Sequence, residues 1–137
     1  MVKKTTYAHQ SGKRKRAIAR ATVKPGIGKV RINSRPIETI EPEFLRLRLQ
    51  EPLRLAGSIA TKVNVKVKSH GGGWNSQIEA ARLAIAKALV DYTGSKELKE
   101  TYHDYDRHLL VADTRRKEMR KPMRHSRARA KRQQSFR

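Results

Sequence analysis

Residues 59–94 read IATKVNVKVKSHGGGWNSQIEAARLAIAKALVDYTG and carry the clearest strand and helix signals in the chain. Their first part alternates with a period of two, which is typical of a strand that packs on one face. One predicted face holds Ile59, Thr61, Val63, Val65 and Val67, and the other holds Lys62, Asn64, Lys66 and Lys68. The glycines at 71–73 end this strand.

A helix follows the glycines. Ser76 to Glu79 have the pattern of a capping box, with Ser76 as the N-cap, and Gly94 is the predicted stop. One stripe of the helix holds Ile78, Ala81, Ile85, Ala88, Leu89 and Tyr92. Its alanines allow close approach to a sheet.

The remaining patterns complete a small domain. Residues 18–24 and 29–32 alternate as strands, and Asn33-Ser34 predicts a hairpin turn before an edge strand at Pro36 and Ile37. Residues 41–57 favour a short helix, interrupted or restarted at Pro52 and ended by Gly57. Ser95 is the predicted cap of a helix from 96 to about 103. We therefore expect an α/β (α+β) two-layer domain, with a small mixed sheet packed by helices.

Charge is distributed unevenly along the 137 residues, whose net charge is +21. Residues 1–24 contain 8 basic and no acidic side chains, and residues 114–137 contain 11 basic and 1 acidic. The middle is nearly balanced, with 14 basic and 11 acidic residues. This predicts a basic N-terminal arm (1–16), a globular domain (17–113) and an extended basic C-terminal tail (114–137).

Composition excludes several classes of protein. The chain has no cysteine, which excludes disulfides, thiolate zinc sites and cysteine nucleophiles. It also has no apolar run of the roughly 20 residues that a membrane span needs, and its N-terminus lacks the apolar core of a secretory signal. We expect a cytoplasmic protein. An anionic membrane surface would also attract the arms, but the tail lacks the apolar face of an interfacial helix.

The two arms are the first candidate binding segments. Residues 13–16 are four adjacent cations (Lys13, Arg14, Lys15 and Arg16), and the tail has too few apolar residues to offset its ordering entropy. Regularly spaced phosphates would neutralise such segments, so nucleic acid is the favoured partner. The alternatives for residues 13–16 are a solvated charged run or a nuclear-localisation-like motif.

The glycine loop at 71–73 permits two interpretations. It resembles an anion cradle at a helix start, although it is neither a P-loop nor a dinucleotide fingerprint. It also suits a tight connection in which side chains would clash, and both can hold. Neighbouring Trp74 would stack on a base or cover the core, and we favour the core.

The run from His103 to His108 could be read as a metal or acid–base cluster. Its spacing matches no standard zinc motif, and Arg107 would pair with an aspartate, so a hydrogen-bonded loop is favoured. No nucleophile–base set stands out elsewhere. The sequence thus predicts binding rather than catalysis, with no metal and no cofactor.

Several blocks in order resemble one family. They are residues 12–21 (GKRKRAIARA), residues 25–33 (PGIGKVRIN) with Arg35-Pro36, Gly71–Gly73 with Ser76-Gln77, Ala80, Ala84 and residues 86–89 (AKAL), then Asp113, Arg115 and Glu118, and finally residues 134–137 (QSFR). In that order they resemble the small-subunit ribosomal protein nine family, in its archaeal or eukaryotic-like form. Family tails often carry glycine near 121–124, where this chain has Lys-Pro-Met-Arg.

The resemblance implies a domain similar to the second domain of small-subunit ribosomal protein five, in the head of the small subunit beside neighbouring head proteins. It implies a tail that threads through small-subunit rRNA and ends near the P-site tRNA. The rRNA-binding residues so implied, together with the basic patches, are Lys13, Arg14, Lys15, Arg16, Arg20, Gly71, Gly72, Gly73, Arg115, Arg116, Lys117, Arg120, Lys121, Arg124, Arg127, Arg129, Lys131 and Arg132. Ser135, Phe136 and Arg137 are the expected tRNA-binding residues, with Arg137 on backbone phosphate.

The main alternative is a histone-like or architectural DNA-binding protein. The basic arms fit it equally well, but the ordered blocks of the middle domain do not. Competition between duplex DNA and structured rRNA would separate the two.

Overall fold

The computed structural model describes residues 7–129, which form a five-stranded mixed sheet with helices packed on one face. The strands are β1 (Ala8–Arg14), β2 (Ala17–Pro25), β3 (Val30–Ile32), β4 (Arg35–Pro36) and β5 (Val63–His70). The helices are α1 (Glu43–Ala56), α2 (Ser58–Thr61), α3 (Trp74–Thr93) and α4 (Lys96–Tyr105), with 3₁₀ turns at Ile37–Thr39 and Arg107–Leu109. None of the helices in the range 7–129 combines the length and the hydrophobicity that a membrane span requires.

The strand order is β1-β2-β5-β3-β4. β3 runs parallel to β5, and the other neighbours are antiparallel. The connection from β3 to β5 passes through β4, α1 and α2, since parallel strands need a crossover. The expected mixed α/β architecture is confirmed.

Small residues bring the two layers close together. Ala17, Ala19 and Ala21 of β2 are fully buried, as are Ala80 and Ala84 of α3. On β1, a Cβ at Gly12 would clash with the carbonyl oxygen of Ala80. Only glycine therefore fits where β1 meets α3. The larger members of the core, Val65, Ile85 and Leu89 among them, fill the space between the layers.

α4 is attached to α1 through one buried side chain. The Tyr102 hydroxyl donates a 2.7 Å hydrogen bond to the carbonyl oxygen of Pro52. Burial holds the pKa of this hydroxyl well above its usual range. α1 runs through Pro52 as one helix, so the predicted interruption there is wrong.

Two predicted boundaries are also wrong. Residues 58–61 form α2, and β5 begins only at Val63, so Ile59 and Thr61 are not strand residues. α3 begins at Trp74, with Gly73 in an extended conformation as its N-cap, so Ser76 lies inside the helix and caps nothing. Glu79 is likewise inside the helix, where its carboxylate binds arginines instead of the backbone.

Other local predictions are confirmed. Gly94 ends α3 in the left-handed region with φ 63°, and the Ser95 hydroxyl oxygen accepts from the Leu98 amide at 3.3 Å. Asn33 and Ser34 have φ of 47° and 72°, as the tight β3–β4 turn requires. The predicted edge strand ends at Pro36, and its extension to Ile37 is wrong, because Ile37 begins a 3₁₀ turn. Residues 8–14 fall within the predicted basic arm and form edge strand β1.

Candidate nucleic-acid interface

The two-residue turn between β1 and β2 places Lys15 and Arg16 at one end of the sheet. Both side chains are exposed, and Lys15 adopts φ 53°. The glycine loop, distant in sequence, lies against this turn: a Cβ at Gly71 would come within 2.7 Å of the Arg16 carbonyl oxygen. The fold therefore unites two predicted phosphate-binding segments.

The three glycines differ in their surroundings. Gly71 and Gly72 have φ of 75° and 62°, and a Cβ at Gly72 would lie 3.0 Å from the Ala17 amide nitrogen. These two positions therefore satisfy the structural explanation, a tight connection without room for side chains. Gly73 has nothing within 4 Å of an added Cβ, so sterics do not require glycine there.

The basic segment leaves the domain beside the same turn. The Arg14 Nε donates to Glu79 Oε2 at 2.8 Å, and its buried Nη1 lies 2.7 Å from Asp113 Oδ2, poorly aligned for a hydrogen bond. Glu79 also accepts from Arg48 at 2.8 Å, and Asp113 accepts from the Arg115 backbone and guanidinium at 2.8 Å. This ion network joins β1, α1 and α3 to the first residues of the predicted tail.

The network holds its carboxylates ionised. Burial works to raise the pKa of Glu79, but hydrogen bonds and charge from Arg14 and Arg48 outweigh it and leave the pKa below its ordinary value. Hydrogen bonds from the Arg115 side chain and backbone hold the pKa of Asp113 well below its usual range. The hydrogen bond to Asp113, followed by charge attraction to Asp113 and Glu79, raises the pKa of Arg115.

Arg14 thus differs from the other predicted rRNA-binding residues near the turn. Its side chain is 19% exposed and is committed to carboxylates. Lys13, Lys15, Arg16 and Arg20 are exposed, and within residues 7–129 none of the four forms an ion pair. These four residues around the turn are therefore available to bind an anionic ligand.

The His103–His108 run forms an ordinary polar surface. Asp106 binds the guanidinium of Arg82 at 2.8 Å, rather than that of Arg107, and accepts from the His108 amide at 2.8 Å. Although burial opposes it, these bonds lower the pKa of Asp106. In the described part of the chain, no three His, Cys, Asp or Glu residues are grouped to hold a metal ion.

Residues 114–129 contain no helix or strand. Glu118 pairs with Lys121 at 3.5 Å and Arg129 at 3.0 Å, and the Lys121 amide donates to the Arg127 carbonyl at 3.2 Å. The backbone therefore turns within 121–127, where Met123 has φ 59°. The remaining predicted rRNA-binding side chains of this stretch, Arg116, Lys117, Arg120 and Arg124, lie along it. Lys131, Arg132, Ser135, Phe136 and Arg137 lie outside the described residues.

Trp74 does not belong to the core. It is 60% exposed, and its ring meets that of Phe44, itself 53% exposed, edge to face at 6.1 Å. The favoured core placement is therefore wrong. An exposed aromatic pair here remains available for contact with a partner.

Apart from Arg20, the cations of a second surface were not predicted as functional. The sheet face opposite the helices presents Lys24, Arg31, Lys66 and Lys68, together with Arg20. The period-two pattern of residues 62–68 places its lysines opposite the valines, and that signal was already in the sequence. Strand order alone brings Arg31 and Arg20 to either side of them.

Comparison with known proteins agrees with the charge and the fold. The family model described as "Ribosomal protein S9/S16" matches residues 12–137. Proteins named "Small ribosomal subunit protein uS9" from Methanococcus maripaludis strains C7 and C5 and from Methanococcus vannielii are each 50% identical over 130 residues, covering 94% of this chain and 97% of theirs. These matches show that the chain belongs to the ribosomal protein S9/S16 family, in agreement with its archaeal-like blocks.

Proposed function

We propose that this protein binds small-subunit rRNA through the basic end of its domain and through its C-terminal segment. As a member of its family, it is a structural constituent of the small ribosomal subunit and not an enzyme. Its compartment is therefore that of the ribosome, the cytoplasm. Ribosomal RNA and ribosomal proteins are its partners in translation.

One observation carries the rRNA site: three predicted segments converge at one end of the domain. They are the Lys15-Arg16 turn, the Gly71–Gly73 loop and the Asp113–Arg115 start of the basic segment. These segments bring together cations that the fold itself does not need. Such cations bind backbone phosphates regardless of the base sequence. Arginine also forks onto phosphate oxygens, which suits the arginine-rich segment.

The predicted rRNA-binding set is retained with one distinction. Lys13, Lys15, Arg16 and Arg20 contact phosphate directly, whereas Arg14 positions the start of the tail. Beyond residue 114, the tail carries the charges Arg115, Arg116, Lys117, Arg120, Lys121, Arg124, Arg127, Arg129, Lys131 and Arg132 into the rRNA. Such a segment orders on binding, because it has little apolar surface to bury alone.

We also propose that the tail ends at the P-site tRNA. The family resemblance supports this role for Ser135, Phe136 and Arg137, as it supports a domain like the second domain of small-subunit ribosomal protein five. It likewise supports a location in the head of the subunit, beside neighbouring head proteins. The terminal Arg137 would hold the tRNA backbone electrostatically, without reading sequence.

Binding of the full chain to purified small-subunit rRNA, measured across salt concentrations, tests the rRNA site. With six phosphate contacts, affinity falls on the order of a thousandfold between 50 and 200 mM salt. K15Q/R16Q should make this salt dependence less steep, and K96Q/K99Q on the exposed surface of α4 is the matched control. A flat response of the unmodified protein contradicts the proposal, as does equal preference for duplex DNA.

The tRNA contact has a separate test. Ribosomes that carry the protein without residues 135–137 should assemble normally but hold P-site tRNA more weakly in filter binding. Replacing Arg137 by lysine is the control, because it keeps the charge and loses only the forked geometry. Unchanged tRNA affinity of the truncated form would contradict this role while leaving rRNA binding intact.

A further inference from the structure

The three central strands of the sheet carry five cations on its open face, and edge strand β1 adds Lys13 of the basic turn. We call Arg20, Lys24, Arg31, Lys66 and Lys68 the open-face cations. They alternate with the buried residues that face α3, so all five side chains project away from the helices. All five are exposed.

Strand register sets like charges directly opposite each other. Arg20 of β2 pairs with Lys68 of β5, and Arg31 of β3 pairs with Lys66 of β5. Directly opposed like charges destabilise a sheet. The fold keeps two such pairs side by side. Their repulsion destabilises the isolated protein, and a bound anion would relieve it.

No acidic residue compensates them. All 12 Asp and Glu residues of the chain lie outside the five strands, and no open-face cation forms an ion pair within residues 7–129. The helical layer is different, since Arg46, Arg48 and Arg82 there each bind a carboxylate. A charged surface that served only solubility would mix both signs in both layers.

The groove beside these cations is held in shape by one side chain. The Asn64 Oδ1 accepts from the Ile27 and Lys29 amides, each at 3.0 Å, and so fixes the β2–β3 connection. The resulting shallow groove is lined by Lys24, Lys29, Arg31 and Lys66. Its cations are therefore positioned before any ligand arrives.

The chemistry of the face selects the kind of anion. None of the five strands contains Phe, Tyr or Trp, so the large aromatic side chains on which unpaired bases stack are absent from them. The imidazole of His9, which lies on this face, is held by the Thr22 hydroxyl at 2.8 Å. Cations repeat every ~7 Å along a strand and ~5 Å between strands, which suits a surface of regularly spaced phosphates. We propose that the open face binds the phosphate backbone of base-paired RNA, separately from the basic turn and the tail. This inference rests on the proposed rRNA-binding function.

The test uses the full chain and purified small-subunit rRNA. K66Q/K68Q and K24Q/R31Q each remove two open-face charges that lie outside the basic-turn set, and K96Q/K99Q removes two exposed charges from α4. Each face variant should lose about two phosphate contacts, so the drop in affinity between 50 and 200 mM salt should shrink about tenfold. The α4 control should stay within about twofold. Hydroxyl-radical protections lost in the face variants should map to paired rRNA.

Stability of the free protein gives a second readout. K66Q/K68Q removes both opposed pairs, so it should raise the thermal midpoint at low salt by about 2 °C. Gain of stability together with loss of RNA affinity separates a binding face from a damaged fold.

Three outcomes overturn the inference. The first outcome is that the face variants bind rRNA like the α4 control, while the affinity of the unmodified protein depends steeply on salt. That result would refute binding by the open face and leave the sites at the basic turn and the tail unaffected. Lost protections on unpaired rRNA refute the duplex preference. Failure of the unmodified protein to bind rRNA refutes the proposed function itself.

Discussion

The guanidinium of Arg14, on the last residue of β1, lies 2.7 Å from the carboxylate of Asp113, where the basic segment begins. Both side chains are mostly buried, 19% and 13% exposed. Because Arg14 also binds Glu79 of α3, the start of the basic segment is fixed to the sheet and to the helix layer. The position from which the tail leaves is therefore a property of the folded domain.

Replacing Arg14 by Gln should destabilise the domain by about 2 kcal/mol. The change leaves two partly buried carboxylates with fewer partners, although Arg48 and Arg115 still hold them. Chemical denaturation measures the effect. Arg46→Gln is the control, because its partner Glu43 is largely exposed, and it should cost less than about 1 kcal/mol. Equal costs would show that the Arg14 network adds nothing.

Stability should fall in acid because of Glu79 and Asp106. Their pKa values in the folded protein lie below the ordinary 4.5 and 3.8, so the unfolded chain binds more protons in that range. Their contribution is complete above about pH 5 and is lost as pH falls through the lowered values. Glu79→Gln should therefore be less stable than the unmodified protein at pH 7, with a gap that narrows below about pH 4. If the difference in stability between Glu79→Gln and the unmodified protein did not change with pH, the contribution from ionised Glu79 would be contradicted.

The glycine loop should respond differently at its two ends. Gly71→Ala should destabilise by about 2 kcal/mol, because of φ 75° and the 2.7 Å approach to the Arg16 carbonyl. Gly73→Ser should be neutral or stabilise by up to about 0.5 kcal/mol, since serine is a slightly better N-cap than glycine in the extended conformation found there. Thermal unfolding distinguishes them. Weaker rRNA binding by a stable Gly73→Ser variant would show that phosphate, rather than packing, requires this glycine.

Trp74→Ala should lower the free energy of unfolding by about 1 kcal/mol, whereas replacing a buried tryptophan costs about 3–5 kcal/mol. The residue is largely exposed and packs mainly on Phe44. As the single tryptophan, it reports on itself in fluorescence, and acrylamide should quench it efficiently in the free protein. Strong protection from quenching in the absence of RNA would contradict its exposed position.

Local signals in the sequence determined several elements. The Val63–Val67 alternation, the alanine-rich stripe of α3, Gly94 and the Ser95 cap act over a few residues, so their patterns were sufficient. The predicted boundaries of elements were wrong where a neighbouring segment fitted the same sequence pattern. Ile59 and Thr61 continue the period of β5, yet Gly57 with φ 55° starts a helical turn there. Ser76 and Glu79 have capping-box spacing, but Gly73 starts the helix earlier.

Residue order and composition are enough to predict the family, the mixed α/β class and the excess of positive charge. Which of the cations lack a carboxylate partner depends on how the chain folds. Arg14 and Lys15 are adjacent and equally basic, yet packing turns Arg14 toward Glu79 and Asp113 and leaves Lys15 in solvent. Strand order likewise brought Arg20, Arg31, Lys66 and Lys68 onto one face. Contacts between distant segments set the surroundings of each charge, and the pattern along the chain does not contain them.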